Sequence, residues 1–191
     1  MPYLAAAGLA LLVIATFWPA LDNGFVSYDD DVYIVKNPQV RGGLTLAGVR
    51  WAFTTRTAAN WHPLAWLSHM SDVSLFGVNP AGHHLAGVLI HTATALLALA
   101  VLRAMIGVLW PAVLAAALFA VHPLRVESVA WAAERKDLLA GLFALLALGA
   151  YLRYVRGPSP RRFLPVALAL CAGLLSKPMA VTLPFVLLLL D

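Results

Sequence analysis

The sequence predicts an all-α protein, a polytopic membrane bundle with further helices lying at the membrane interface in its outward loops. Two observations predict this class. Of the 191 residues, 62% are hydrophobic and 12% carry a formal charge, whereas soluble domains have about 45–50% apolar and about 25% charged residues. The apolar residues also form uncharged runs close to the roughly 17–25 residues that a membrane-spanning helix needs. A water-soluble enzyme is therefore excluded.

These runs predict one membrane domain over residues 1–191, with spans at about 3–21, 85–102, 104–121, 138–155 and 163–176 and a broken continuation over 178–190. The first run lacks a basic leader, so it is a retained span rather than a signal peptide. In the last run Pro178 follows Lys177. Proline removes a backbone donor and clashes with the preceding turn, so we predict two helical segments that meet there. A broken helix also predicts a cavity nearby.

A basic loop between two predicted spans sets the orientation. Short loops rich in lysine and arginine stay on the cytoplasmic side, so the N-terminus is cytoplasmic and the loops over 22–82 and 122–137 face outward. The other basic residues are scattered, and the net charge of +4 therefore does not indicate a nucleic-acid partner. The single cysteine excludes a disulfide framework. The basic loop contains Arg153, Arg156, Arg161 and Arg162.

Three consecutive acids, Asp29, Asp30 and Asp31, follow the first span at the outer membrane surface. One interpretation is a solvated turn, because aspartate favours caps and loops. The other is a functional site, because crowded carboxylates raise one another's proton affinity or share a cation. Either property suits a general base or a metal site beside a membrane-embedded substrate.

The outward loops also carry histidines. His62 and His69 are seven residues apart, so a helix places both on one face. They belong either to an interfacial anchor helix, with imidazoles facing water, or, less favourably given this spacing, to a metal site. His84 and His91 share a helix face, and we expect them to make polar contacts between helices rather than to bind haem.

The second outward loop, over 122–137, has the apolar spacing of an amphipathic helix and ends in two adjacent cations, Arg135 and Lys136. Such cations at the end of a span are either interface anchors or ligands of a lipid phosphate.

These motifs, taken in order, resemble the N-terminal membrane part of the transmembrane and tetratricopeptide-repeat O-mannosyltransferases, which are GT-C-type glycosyltransferases, and of their bacterial relatives. The resemblance covers nearly the whole chain. The motifs that carry it are Phe25-Val26-Ser27-Tyr28-Asp29-Asp30 with Ile34 and Asn37-Pro38, Trp61-His62-Pro63-Leu64, His84 to Leu97, His122-Pro123 with Glu127-Ser128, Arg135-Lys136-Asp137-Leu138-Leu139, and Ser176-Lys177 before Val181-Thr182-Leu183-Pro184.

The resemblance implies a GT-C-like fold and transfer of a mannose-like sugar from a polyprenyl-phosphate donor to a hydroxyl of a protein or glycan acceptor. It places the chain in the bacterial inner membrane, among membrane lipid, with a periplasmic active face. Asp29 and Asp30 match the catalytic acidic pair, with Asp30 as the candidate ligand of a divalent cation such as Mg²⁺ or Mn²⁺. The candidate substrate-binding residues are His62, Arg135, Lys136 and Lys177.

One general base suffices for this reaction, because polyprenyl phosphate is already a good leaving group, and a single base fits inversion at the anomeric carbon. We expect Asp29 to be that base. Family members continue with more spans and repeats, so we expect this chain to be the N-terminal part of a longer protein. The alternatives are a membrane scaffold that keeps the fold without the chemistry and, through the broken segment at Lys177, a transporter.

Overall fold

Long apolar helices dominate the computed structural model, which describes residues 1–189. Its α-helices are α1 (Pro2–Phe17), α2 (Pro38–Arg41), α3 (Leu46–Thr54), α4 (Pro63–Phe76), α5 (Pro80–Ile106), α6 (Leu109–Ala120), α7 (Arg125–Ala130), α8 (Arg135–Val155), α9 (Pro160–Ser176) and α10 (Leu183–Leu188). The described residues contain no β-strand. The protein is therefore an all-α bundle, as its composition predicts.

Three helical stretches are long and apolar enough to cross a membrane: Pro2–Asp22, Pro80–Ile106 and Ala132–Val155. The first combines α1 with a 3₁₀-helix (Trp18–Asp22), and the third begins with a 3₁₀-helix (Ala132–Glu134) that leads into α8. A further apolar helix, α6, has 12 residues. These stretches make the chain an integral membrane protein.

The helices begin where the sequence places prolines and capping side chains. Pro38, Pro63, Pro80 and Pro160 each occupy the first helical position of α2, α4, α5 and α9, where the missing N–H has no intrahelical partner to lose. The cap residue Asn79 accepts a hydrogen bond from the Ala81 N–H at the start of α5. These local signals fix the entry of the chain into each helix.

The membrane core packs α1, α5 and α6 together. Ala112, Ala116 and Ala120 lie on one face of α6 and are buried against α1 and α5. Small residues at this spacing let helix backbones approach closely, which favours association in lipid. His91 of α5 hydrogen-bonds through Nε2 to the Ala120 carbonyl at 2.8 Å, so it makes the interhelical polar contact expected of it.

The predicted span over 104–121 contains a helix boundary instead. Gly107 ends α5 with a φ of 78°, in the left-handed region, and α6 begins at Leu109. Glycine adopts this conformation without a steric penalty. The long helix α5 therefore includes the residues up to Ile106 that the hydropathy assigned to the next span.

The amphipathic helix expected over 122–137 is also interrupted. The chain forms α7, becomes extended at Trp131 and enters α8 at Arg135. The Ala133 N–H, which a continuous helix would use internally, donates instead to the Asp30 carboxylate. At the other break, α9 ends at Ser176, Lys177 is extended, and a 3₁₀-helix (Pro178–Thr182) leads into α10.

A layer of short helices, formed by the loops that are predicted to face outward and named the outward layer after that prediction, covers the N-terminal end of α8. Its apolar core consists of Tyr33, Ile34, Val40, Ala52, Trp66, Met70, Ala132 and Ala133. Residues Asp31–Val35 form one π-helical turn within it. This layer contains the residues that the sequence selected as a site.

Candidate functional site

Asp30 joins the two loops that are predicted to face outward. Its side chain is fully buried. One carboxylate oxygen accepts a hydrogen bond from the Val26 N–H and the other from the Ala133 N–H, each at 2.8 Å. Hydrogen bonds to a charged group contribute about 1.5–3 kcal/mol. The geometry therefore gives Asp30 a positioning role, holding loops that are 103 residues apart in the sequence.

The three adjacent acids have three different environments. Asp31 has a side chain that is 25% exposed, and its carboxylate accepts a hydrogen bond from the Lys36 ammonium at 2.7 Å. Asp29 is half-buried, and no hydrogen bond or ion pair joins its carboxylate to the residues that the structure describes. Of the three, Asp29 therefore has the carboxylate that remains available to a substrate.

Around Asp29 lies a group that we call the Tyr33 cluster: Asp29, Tyr33, His62, Glu134 and Lys136. The Tyr33 ring stacks on the His62 ring with centroids 5.4 Å apart and planes 9° apart. The Lys136 ammonium lies 5.0 Å from the centroid of the Tyr33 ring. Burial, with the charges of Asp29 and Glu134, raises the pKa of Tyr33 to about 12. The phenol therefore stays protonated at neutral pH.

His62 is buried, and neither of its ring nitrogens has a hydrogen-bond partner among the described residues. Burial, and then the nearby Lys136 ammonium, lower the pKa of His62 to about 4. The imidazole is therefore neutral at pH 7, with one donor and one acceptor nitrogen. A substrate reaches it only if the surrounding side chains move, and its role in substrate binding stays a prediction.

The two candidate lysines both lie near the N-terminal end of α8, and each is paired with an acid. The Lys136 ammonium donates to a Glu134 carboxylate oxygen at 2.7 Å and to the Ala133 carbonyl at 3.3 Å. Lys177, in the break after α9, is ion-paired with Asp137. The structure thus brings together two cations that are distant in sequence, and both are partly accessible. Their contact with a donor phosphate stays a prediction.

Arg135 points into the protein, unlike its neighbour Lys136. Its guanidinium donates from Nη1 to the Ser68 hydroxyl at 2.8 Å and from Nη2 to the His83 carbonyl at 2.7 Å. Nη1 also lies 2.9 Å from Asp72 Oδ2. The side chain is 1% exposed. This geometry favours a role in tying α4 and α5 to α8 over direct binding of phosphate, which stays a prediction for this residue.

Asp72 and His83, which lie next to Arg135, are functional candidates that the sequence did not indicate. His69, Asp72 and His83 are buried, and one ligand atom from each lies within 4.8 Å of the others. Burial, and then the charge of Arg135, lower the pKa of His69 well below its usual range. The spacing of His69 and Asp72 on α4 was visible in the sequence, but nothing local linked this pair to His83 on α5.

The described residues do not favour a divalent cation at the group of His69, Asp72 and His83 or at Asp30. Asp72 shares its carboxylate with the Arg135 guanidinium, whose positive charge repels a metal ion. Both oxygens of the buried Asp30 already accept backbone hydrogen bonds. The cation expected at Asp30 therefore stays a prediction.

A strained loop before His62 was also not expected. Ala58 and Ala59 have φ values of 60° and 56°, which cost an alanine about 1–3 kcal/mol each. The loop borders a cavity of about 640 Å³. Its lining includes Arg56, Asn60 and Trp61. Strain of this kind persists where the surrounding structure holds it, and it clusters at functional sites.

Fold and site together define an all-helical integral membrane protein with a charged site at one end of a spanning helix. The chain is 33% identical to the protein O-mannosyl-transferase Tmtc2 of Drosophila melanogaster, over 94% of this chain and 21% of that protein. It is 31% identical to Tmtc1 of the same organism, over 92% and 21%, and 32% identical to human TMTC1, over 78% and 18%.

The chain therefore belongs to the TMTC family of protein O-mannosyl-transferases, and it spans about a fifth of the length of the curated relatives it matches. No family model matches it. No solved structure matches it either.

Proposed function

We propose that this chain is part of the membrane domain of a glycosyltransferase that transfers mannose from a polyprenyl-phosphate donor to a hydroxyl of a protein or glycan acceptor. The names of the relatives support mannosyl transfer. The observation that carries the proposal is Asp29, whose carboxylate has no partner among the described residues. It lies in a cluster that also holds a cation, Lys136, and a protonated phenol, Tyr33.

The proposed reaction is a direct displacement. The acceptor oxygen attacks the anomeric carbon, and Asp29 takes the hydroxyl proton as this bond forms. The bond between the anomeric carbon and the phosphate oxygen breaks, and polyprenyl phosphate leaves with the electron pair. Because attack and departure occur on opposite faces, the anomeric configuration inverts. The carboxylate acts as a general base, which contributes about 10²–10⁴-fold to the rate.

The leaving phosphate needs positive charge rather than a proton. Lys136 and Lys177 are the partly accessible cations at the start of α8. A donor phosphate near them would take over hydrogen bonds now made to Glu134 and Asp137, which an anion with more acceptor oxygens can do. Arg135 acts indirectly in this scheme. It holds α4 against α8 and so keeps the N-terminal end of α8, which carries Lys136, in place.

We further propose that this site faces the periplasm in a bacterial inner membrane. The proposal rests on the charge of the opposite end of α8, where Arg153 lies in the last turn and Arg156 begins the short loop to α9, whose first turn carries Arg161 and Arg162. Such loops remain cytoplasmic. Cysteine introduced at Ser27, in a variant lacking Cys171, should react with a membrane-impermeant thiol reagent in intact cells, whereas cysteine at Ser159 should not. The reverse labelling pattern would place the site on the cytoplasmic face.

The catalytic proposal is tested by comparing two neighbouring acids. Asp29→Asn in the complete protein should lower turnover with a polyprenyl-phosphate mannose donor by about 10²–10⁴-fold, with little change in donor affinity. Asp31→Asn is the matched control, since the Asp31 carboxylate is already paired with Lys36, and it should retain turnover. If Asp29→Asn keeps wild-type turnover, Asp29 is not the base. If it abolishes donor binding as well, its role is structural.

A scaffold without catalytic activity is the second candidate. The observation that favours it is that each lysine proposed for phosphate binding already has an acidic partner. In that case the wild-type protein should neither bind the donor nor release polyprenyl phosphate. Direct measurement of donor binding, for example by the shift in melting temperature on adding polyprenyl-phosphate mannose, separates the two functions.

A further inference from the structure

A second cavity lies at the end of α8 that is remote from the Tyr33 cluster. It has a volume of about 770 Å³ and lies between α5, α8 and α9. Apolar residues form most of its lining, and two arginines, Arg153 and Arg156, complete it. Its apolar lining residues include Leu97, Val101, Phe143, Leu146, Leu168 and Ala172. Its volume lies in the range of about 300–1,000 Å³ that is usual for small-molecule sites.

Small residues line this space, and one of them lets α8 approach α5 closely. Gly149 faces α5 so closely that an added Cβ would lie 3.3 Å from a Val101 methyl group. Ala104 and Ala172 also line the cavity, from α5 and α9, where larger side chains would fill it. The cavity is therefore a consequence of residue size along three helices that pack against one another.

The two arginines are available to an anion. Arg153 is exposed, and no hydrogen bond or ion pair joins it to the described residues. Arg156 donates one hydrogen bond, from Nη2 to the Ala104 carbonyl at 3.0 Å, which leaves its other N–H groups free. No aspartate or glutamate occurs in the sequence between 138 and 190. No acidic side chain in this segment of the chain therefore neutralises the arginines.

We propose that this cavity binds an anionic phospholipid of the surrounding membrane, with an acyl chain between α5, α8 and α9 and the phosphate at Arg153 and Arg156. The site is apolar along the helices and cationic at the membrane surface, which matches the two ends of such a lipid. Basic pockets between spanning helices bind anionic headgroups in this way. An arginine fork also recognises phosphate oxygens in pairs.

This lipid is distinct from the proposed sugar donor. Arg153 and Lys136 lie near opposite ends of α8, which has 21 residues and is therefore about 30 Å long at 1.5 Å per residue. One phosphate cannot contact both ends. The lipid site thus belongs to the membrane leaflet opposite the Tyr33 cluster, and it does not depend on the proposed transferase activity.

The test uses the complete protein in nanodiscs that contain phosphatidylcholine with one-fifth phosphatidylglycerol. Lipids that copurify after transfer to detergent are counted by native mass spectrometry. Wild-type protein should retain phosphatidylglycerol in preference to phosphatidylcholine. The double variant Arg153→Gln/Arg156→Gln should lose this preference by about tenfold or more, because a charge-assisted contact is worth about one to two orders of magnitude in affinity.

The matched control is Arg161→Gln/Arg162→Gln, which removes the same charge from the first turn of α9, a few residues further along the chain. These residues do not line the cavity, so the preference should stay within about twofold of wild type. An equal loss in both double variants would overturn the proposal, because it would indicate diffuse attraction between the loop and an anionic surface. No preference in the wild-type protein would overturn it as well.

Filling the cavity tests the acyl chain. Ala172→Phe should reduce retention of phosphatidylglycerol, and Ala104→Leu provides a second variant of the same design if the first fails to fold. Unchanged retention in a folded cavity variant would overturn the acyl-chain part and leave a headgroup site alone.

Discussion

At the N-terminal end of α8, Arg135, Lys136 and Lys177 each pair with an acid, whereas Arg153 and Arg156 at its C-terminal end have no acidic partner among the described residues. Arg135 has three polar partners within 3 Å, but Arg153 has none among the described residues. Both are arginines near an end of the same apolar helix. The difference arises because the outward layer buries Arg135 away from water, so that its charge must have protein partners.

This contrast distinguishes side chains that stabilise the fold from side chains that are available to bind a ligand. At the N-terminal end, a buried charge that loses its partner destabilises the protein. Only a side chain without a hydrogen-bond or ion-pair partner, such as Asp29, is available for chemistry there. At the exposed end, charges contribute little to stability and are free to contact lipid. Substitutions of the same kind at the two ends should therefore have very different effects.

The largest effect is expected for Arg135→Ala. It leaves the buried Asp72 carboxylate without its cation, and breaking a buried pair in this way costs about 3–5 kcal/mol. We expect a large fall in melting temperature in detergent, whereas Arg153→Ala at the exposed end should stay within about 0.5 kcal/mol of wild type. Equal melting temperatures for the two variants would remove the distinction between the ends.

The next effect concerns Asp30, which connects the outward loops. Asp30→Asn replaces one accepting oxygen by an amide group that faces a backbone N–H, so it should lower the free energy of unfolding by about 1–3 kcal/mol. Asp29→Asn should leave stability nearly unchanged, since its carboxylate makes no hydrogen bond to the described residues. Chemical denaturation of both variants measures the difference. Greater destabilisation by Asp29→Asn would reverse the roles assigned to the pair.

The buried histidines should make the outward layer sensitive to acid. The pKa of His62 is about 4 in the folded protein and about 6.5 in an unfolded chain. Between these values the unfolded state binds the extra proton, so the free energy of unfolding is complete above pH 6.5 and falls as the pH drops towards 4. Melting temperatures across this range should fall less steeply for His62→Gln than for wild type. Substitution of the exposed His122 should preserve the wild-type slope, and an unchanged slope in His62→Gln would contradict the assignment.

The smallest effect is expected for Lys177→Met. Its ion pair with Asp137 is about one-third exposed on each side, and pairs of this kind contribute roughly 0–1 kcal/mol. Stability should therefore change little, while affinity for the polyprenyl-phosphate donor should fall if Lys177 contacts the phosphate. Titration of the donor against both proteins measures this. Unchanged affinity would leave Lys136 as the phosphate ligand.

Much of the fold was predictable because its signals are local. Hydropathy alone indicates the all-α membrane class, and Pro38, Pro63 and Pro80 lie at helix starts where a missing N–H costs nothing. The boundary near Gly107 was missed because the apolar composition continues across it, and hydropathy does not register a change of backbone conformation. The interruption between α7 and α8 was missed because Asp30, far away in the sequence, takes the Ala133 N–H.

The site was predictable as a set of residues but not as a set of roles. The sequence selects the acids, His62 and the cations at the start of α8, yet adjacent residues such as Asp29 and Asp30 look equivalent in it. The same holds for Arg135 and Lys136. The sequence did not link Asp72 with His83, because no local pattern includes both residues.

What the sequence by itself determined is therefore the all-helical membrane class, the family, and the residue types available at each end of α8, since composition and local spacing are properties of the chain alone. What only the tertiary structure decided is which charges are buried with partners and which remain available. That choice depends on contacts between segments far apart in sequence, such as Asp30 with Ala133 and Arg135 with Ser68. In an apolar environment such contacts fix the role of each charge, because an unpartnered buried charge is too costly to persist.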